Sequence, residues 1–142
     1  MWAGAQTSKR AQSTYGGRMA TVTLTSDAFG DTVANSGITL IDFWAEWCGP
    51  CRQFAPIFEA ASEANPDVTF GKVDTEVERE LAGAAGITSI PTLMAFRDGV
   101  LVFSQPGALP APALDEVLNA VRGLDMEEVH KQIAAQQESI SE

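Results

Sequence analysis

The sequence predicts an α/β domain: a central mixed sheet, parallel strands followed by a C-terminal antiparallel hairpin, flanked by helices. Three observations carry it. Ile38–Ala45 is a nearly continuous apolar run rich in β-branched and aromatic residues, the mark of a strand covered on both faces. Segments with apolar residues at helical spacing alternate with further strand-like runs, which is how parallel strands joined by crossover helices read. Asp98-Gly99 separates two more strand-like runs, a strong hairpin signal. A chain of 142 residues can bury one core and is short for two.

Residues 1–19 are Ala-, Gly-, Ser-, Gln- and Thr-rich without apolar periodicity, so they read as a flexible N-terminal tail, with Met19 an alternative start. Thr21–Thr25 alternates as a short strand, and Ser26 is the expected N-cap of a helix carrying Ala28, Phe29, Thr32 and Val33. Gly37 breaks the chain ahead of the strand at Ile38–Ala45. Beyond a Cys-x-x-Cys run, Phe54, Ile57, Phe58 and Ala61 fall at i, i+3, i+4 and i+7, giving a helix that Pro56 is expected to kink. A strand over Asp67–Asp74 comes next. The following helix, Glu76–Ala85, turns Val77, Leu81 and Ala84 inward and ends at Gly86. Thr92–Arg97 and Val100–Ser104 form the hairpin, and Leu114, Val117, Leu118 and Val121 mark a closing helix. The domain therefore spans 20–124. In the extension, 125–142, Met126, Val129 and Ile133 line a short helix before a disordered polar end, and His130 is a surface residue.

The net charge is −10; residues 1–18 hold Lys9, Arg10 and Arg18 and no acid, so the remainder carries −13. Such a surface repels nucleic acid and acidic membranes, and neither is an expected partner. No apolar run reaches the roughly 20 residues of a membrane-spanning helix. No apolar stretch follows the N-terminal bases either, so a cleaved secretory signal is not expected and the cytoplasm is.

Cysteine usage is the sharpest constraint. Cys48 and Cys51 close too small a loop to staple a fold. With the distant His130 they are too few to hold structural zinc, and no metal is expected. A redox pair remains. It stands where a buried strand gives way to a helix, whose N-terminal N–H groups and partial positive charge stabilise a thiolate. Cys48 is expected at the helix entrance, exposed and nucleophilic. Cys51 lies about one turn further in, placed to attack a mixed disulfide on Cys48. Pro50 suits the first turn, where its missing N–H costs nothing. No Gly-x-Gly-x-x-Gly run is present, so no nicotinamide or flavin is expected to be bound, and the electrons must come from a separate protein. Asp42 is conspicuous within the apolar strand: an acid there is buried at a cost, and burial raises its pKa.

The stretch Ile41-Asp42-Phe43-Trp44-Ala45-Glu46-Trp47-Cys48-Gly49-Pro50-Cys51 resembles the active-site signature of the thioredoxin family. The resemblance covers roughly Ala20 to Gly123 and implies the thioredoxin fold with a redox-active Cys48–Cys51 disulfide. Gly49-Pro50 favours a reductant over an oxidase or isomerase. By resemblance, Asp42 accepts the proton of Cys51 through water, and Lys72 tunes Asp42. Ile90-Pro91-Thr92 is similar to the family's cis-proline segment, in which the backbone of Ile90 would pair with a substrate chain. Gly107 would let that chain approach, and Trp47, with Gly49 and Pro50, would form the docking surface. Trp44, Met94 and Phe96 are expected to be scaffold. The implied partners are a thioredoxin reductase and disulfide proteins of the peroxiredoxin, methionine sulfoxide reductase and ribonucleotide reductase types, met by a monomer. The competing reading is a binding or chaperone module whose extensions recruit a client.

Overall fold

The computed structural model describes residues 20–141, so the expected tail at 1–19 lies outside the described residues. Five strands form one sheet: β1 (Val22–Thr23), β2 (Ile38–Trp44), β3 (Thr69–Asp74), β4 (Thr92–Arg97) and β5 (Val100–Pro106). Their spatial order is β1-β3-β2-β4-β5, with β1, β3 and β2 parallel and β4 and β5 antiparallel. The helices are α1 (Ser26–Ala34), α2 (Gly49–Ala64), α3 (Arg79–Ala84), α4 (Ala111–Arg122) and α5 (Met126–Ser141). None of these helices is long and apolar enough to cross a membrane.

Strand alternation sorts the core into two layers. Leu40, Phe70 and Leu93 pack against Phe54 and Phe58 of α2 and Leu114 and Leu118 of α4. On the other face, Ile41, Phe43, Val73 and Met94 pack with Phe29 and Val33 of α1 and Leu81 of α3. Residue 42 therefore points to the α2 side with Leu40, beneath the helix that carries the cysteines. The hairpin turns at Asp98-Gly99, both with positive φ (53° and 83°), the geometry a type I′ turn demands.

Several local expectations are corrected. Ser26 does not cap α1. Thr25 holds the cap position without a side-chain bond, and the Glu78 carboxylate accepts from the Ser26 N–H (3.1 Å) and hydroxyl (2.8 Å). The third helix begins only at Arg79, because the Asp74 carbonyl and carboxylate organise residues 75–78 as a turn. Val77 consequently points outward at 71% exposure, and Ala84 is also exposed; Ala82 is the residue α3 buries. Gly86, at φ +74°, ends the helix as expected, with Ile87 N–H bonded to the Ala82 carbonyl. The extension forms a 16-residue helix, longer than the expected short one. Asp125 caps it by accepting from Glu127 and Glu128 N–H, and its Glu, Lys, Gln and Ala residues favour helix. The second helix, α2, continues through Pro56, which sits on its exposed side where water can satisfy the carbonyl left without a donor.

Candidate active site

Cys48 is the N-cap residue of α2, and Cys51 lies three residues further on; the two are joined as a disulfide, with their Cα atoms 5.2 Å apart. The Cys51 N–H donates to Cys48 Sγ at 3.1 Å. An amide aimed at that sulfur, at the positive end of a helix, is what holds a thiolate once the disulfide is opened. Pro50 occupies the first turn, as its chemistry favours. The expected exposure of Cys48 is corrected: only 4% of it is accessible, and Cys51 is 2% accessible. Ala45, Trp44 and Ile90 pack around the pair.

Cys48 borders a groove of about 440 Å³, lined also by Trp47, Gly49, Pro50 and Ile90 among others. Trp47 is 66% exposed there, and its indole N–H donates to Glu76 at 3.2 Å. Glu76 is a site residue that sequence reasoning missed, since nothing local relates positions 29 apart. The Ile90–Pro91 peptide is cis. The Ile90 carbonyl oxygen lies 3.7 Å from Cys48 Sγ, and among the described residues no backbone–backbone hydrogen bond engages Ile90. Two bonds brace this segment: Thr92 Oγ1 donates to the Ser89 carbonyl at 2.6 Å, and Gly107 N–H to the Pro91 carbonyl at 2.7 Å. Gly107 has φ +103°, a backbone state that side chains disfavour, and the space its missing Cβ would fill is open.

Asp42 is wholly buried, and neither carboxylate oxygen has a hydrogen-bond partner. Desolvation pushes its pKa up to about 7, against the opposing pull of the Lys72 ammonium. Lys72 is its register partner on β3, and its Nζ sits 4.9 Å from the centroid of the Trp44 ring. A cavity of about 80 Å³ lies on this side of the disulfide, lined by Trp44, Glu46, Cys51, Arg52, Ala55 and Lys72. The structure thus places Trp47, Gly49, Pro50 and Ile90 around the groove at Cys48, with Pro91 next to Ile90 and Gly107 bonded to Pro91. Lys72 lines the cavity at Cys51, and Asp42 is its register partner on the sheet face that α2 covers. His130 is exposed on α5, apart from both.

Comparison with known proteins agrees with this geometry. The thioredoxin family model matches residues 20–120. A Streptomyces coelicolor protein assigned as thioredoxin 2 is 61% identical over 117 residues, 82% of this chain and 87% of its own length. Bacillus subtilis thioredoxin is 39% identical over 102 residues, 71% of this chain and 97% of its own. Among solved structures, the thioredoxin of Malassezia sympodialis superposes with a TM-score of 0.65 at 31% identity, over 72% of this chain and 92% of that one.

Proposed function

The chain belongs to the thioredoxin family, and from that premise we propose how its own residues carry the reduction of protein disulfides. It is a thiol–disulfide oxidoreductase whose Cys48–Cys51 couple is re-reduced by a thioredoxin reductase. A binding module with incidental redox chemistry is not favoured.

In the reduced protein, Cys48 is the thiolate, held by the Cys51 N–H and the α2 N-terminus. It attacks one sulfur of a substrate disulfide, forming a mixed disulfide and releasing the other substrate sulfur as a thiolate. The substrate chain lies in the groove, pairing its backbone with that of Ile90 and resting on Trp47, Gly49 and Pro50 beside Pro91. Gly107 leaves room for it. Asp42, as carboxylate, takes the Cys51 proton through water. The Cys51 thiolate then attacks Cys48 Sγ and expels the second substrate sulfur. Two electrons have passed to the substrate, and the reductase returns them. Lys72 offsets part of the burial penalty on Asp42, so the acid can switch near neutral pH. No bound cofactor takes part, since the electrons travel on sulfur.

The observation that carries this reading is the position of Cys48 Sγ, between a donating amide and the Ile90 carbonyl, beside an open groove. The test is NADPH-coupled insulin reduction through a thioredoxin reductase: Cys48→Ser should stop it, and a variant that kept full activity would overturn the mechanism. We propose peroxiredoxins, methionine sulfoxide reductases and ribonucleotide reductases as physiological substrates, and the cytoplasm as the compartment, because a disulfide reductant needs a reducing one. Cys51→Ser, which leaves the mixed disulfide unresolved, should capture these proteins from a cell extract.

A further inference from the structure

We propose that Trp44 is a positioning residue: its indole face seats the Lys72 ammonium as a through-space charge, held out of contact with Asp42, so that the acid can both take and release a proton. The inference rests on the reading of Asp42 as proton acceptor.

The geometry is specific. Asp42 and Trp44 occupy alternate positions of β2 and so share one sheet face, and Lys72 is paired in register with Asp42 on the neighbouring strand. A lysine so placed could reach across to the carboxylate. Instead its Nζ lies 4.9 Å from the Trp44 ring centroid, within the range of a cation–π contact. Neither the Arg79–Glu76 nor the Arg122–Asp67 ion pair involves Lys72, and both Asp42 oxygens are without a hydrogen-bond partner. Trp44 and Lys72 line the same cavity as Cys51, so the seat stands on the proposed proton route.

The other groups around Asp42 leave this arrangement in charge. On β4 its register partner is the apolar Leu93, and α2 contributes Cys51 and Phe54 to this side. The cavity's remaining charged residues are Arg52, whose guanidinium donates to the Glu46 carbonyl at 2.7 Å, and Glu46, which is exposed. Lys72 is the charge that bears on Asp42. Direct contact between the two in a dry site would lock the carboxylate ionised, whereas removing the ammonium would leave burial to keep it protonated. A ring-held ammonium lies between these extremes.

The experiment follows Asp42 itself, by carboxyl-carbon NMR titration of the oxidised protein, in which neither cysteine titrates. Lys72→Met should raise its midpoint. Trp44→Leu should instead lower it, by roughly half a pH unit, as the freed ammonium closes on the carboxylate. Trp44→Phe, which keeps an aromatic face, should restore most of the difference. In the Lys72→Met background, Trp44→Leu should add nothing. The unmutated protein supplies a check that no folding defect can confuse: ring current from Trp44 should shift the Lys72 side-chain protons upfield. An unshifted lysine, an unmoved midpoint in Trp44→Leu, or an equal shift with and without Lys72 would each overturn the proposal. Those outcomes are separate from the role of Asp42, which fails only if Asp42→Asn leaves the Cys51 step unchanged.

Discussion

Cys48 and Cys51 sit one helical turn apart, yet they face different surroundings. Cys48 heads a groove of about 440 Å³ bounded by backbone polar groups and an exposed indole. Cys51 borders a cavity of about 80 Å³ next to the side of the sheet that buries an acid and a lysine. The difference follows from helix geometry, since residues three apart are turned relative to one another about the helix axis and so meet different neighbours. It divides the labour: the outer sulfur meets the substrate chain, and the inner one meets a proton acceptor. Disulfide exchange needs both, because the first attack needs a thiolate with access and the second needs a thiol that loses its proton on demand.

The comparison breaks most visibly in the cysteines. Cys48→Ser should abolish both adduct formation and turnover, a loss of at least about 10³-fold in NADPH-coupled insulin reduction, since a hydroxyl cannot replace the nucleophile. Cys51→Ser should lose turnover equally but accumulate the mixed disulfide, visible as a mass increase that dithiothreitol reverses. If both variants formed adducts equally, the two sulfurs would not differ in role.

Asp42→Asn is next in size and acts only on the inner side. Resolution of the mixed disulfide at pH 7 should slow by about 10- to 10²-fold, while the first attack by Cys48 is unaffected; rapid-mixing kinetics separate the two. The same variant carries a stability signature whose sign is fixed by linkage. Asp42 has a folded pKa of about 7 against 3.8 for a free carboxyl. Below pH 3.8 both states bind the proton and its burial as an acid carries no charge penalty. As pH rises from 3.8 to 7, the unfolded chain releases the proton while the folded chain keeps it, so stability falls; above 7 the full penalty is present. Between pH 4 and 8, urea unfolding should therefore show the stability of Asp42→Asn gaining on that of the parent by an amount on the order of 4 kcal/mol. A gap that stayed constant with pH would mean Asp42 is not held neutral by burial.

Much of this division was legible before the fold. The strand–helix junction, the acid inside an apolar run and the Gly-Pro spacing are local signals, because each depends on residues within a dozen positions of the cysteines. The mixed sheet was equally readable, since Ile38–Ala45 and the Asp98-Gly99 turn are short-range features. What stayed hidden depends on contacts across the fold. The capping of α1 by Glu78 joins residues 52 apart, and the bond from Trp47 to Glu76 joins residues 29 apart. Gly71 is another case: a Cβ there would come 2.5 Å from Leu24 Cδ1, a constraint that exists only because β1 pairs with β3. The depth of Cys48 was misread for the same reason, since Ile90 and its neighbours cover it from another part of the chain.

Gly107→Ala tests the outer side with a smaller effect. The folded protein has room for the methyl group, so the cost arises from φ +103° and should be about 1–2 kcal/mol in urea unfolding. The added Cβ enters the space open to a substrate backbone, so KM for insulin should rise several-fold while kcat holds. A lower kcat with KM unchanged would move Gly107 out of the docking surface.

The smallest effect should come from Glu76, and it tells whether the exposed indole must be held to be useful. Trp47 presents most of its surface to solvent, and its one hydrogen bond runs to a carboxylate that is itself half in water and shared with Arg79. Such bonds contribute less than about 1 kcal/mol, so Glu76→Ala should raise KM by about two- to threefold and leave kcat unchanged. Glu76→Gln keeps an oxygen acceptor for the indole N–H and loses only the charge, so it should recover the parent KM at moderate salt. If Gln and Ala behaved alike, the carboxylate's charge would matter and the orientation of Trp47 would not. The Asp42 midpoint should stay the same in both variants, because Glu76 holds Trp47 at the groove and is not among the residues lining the Cys51 cavity.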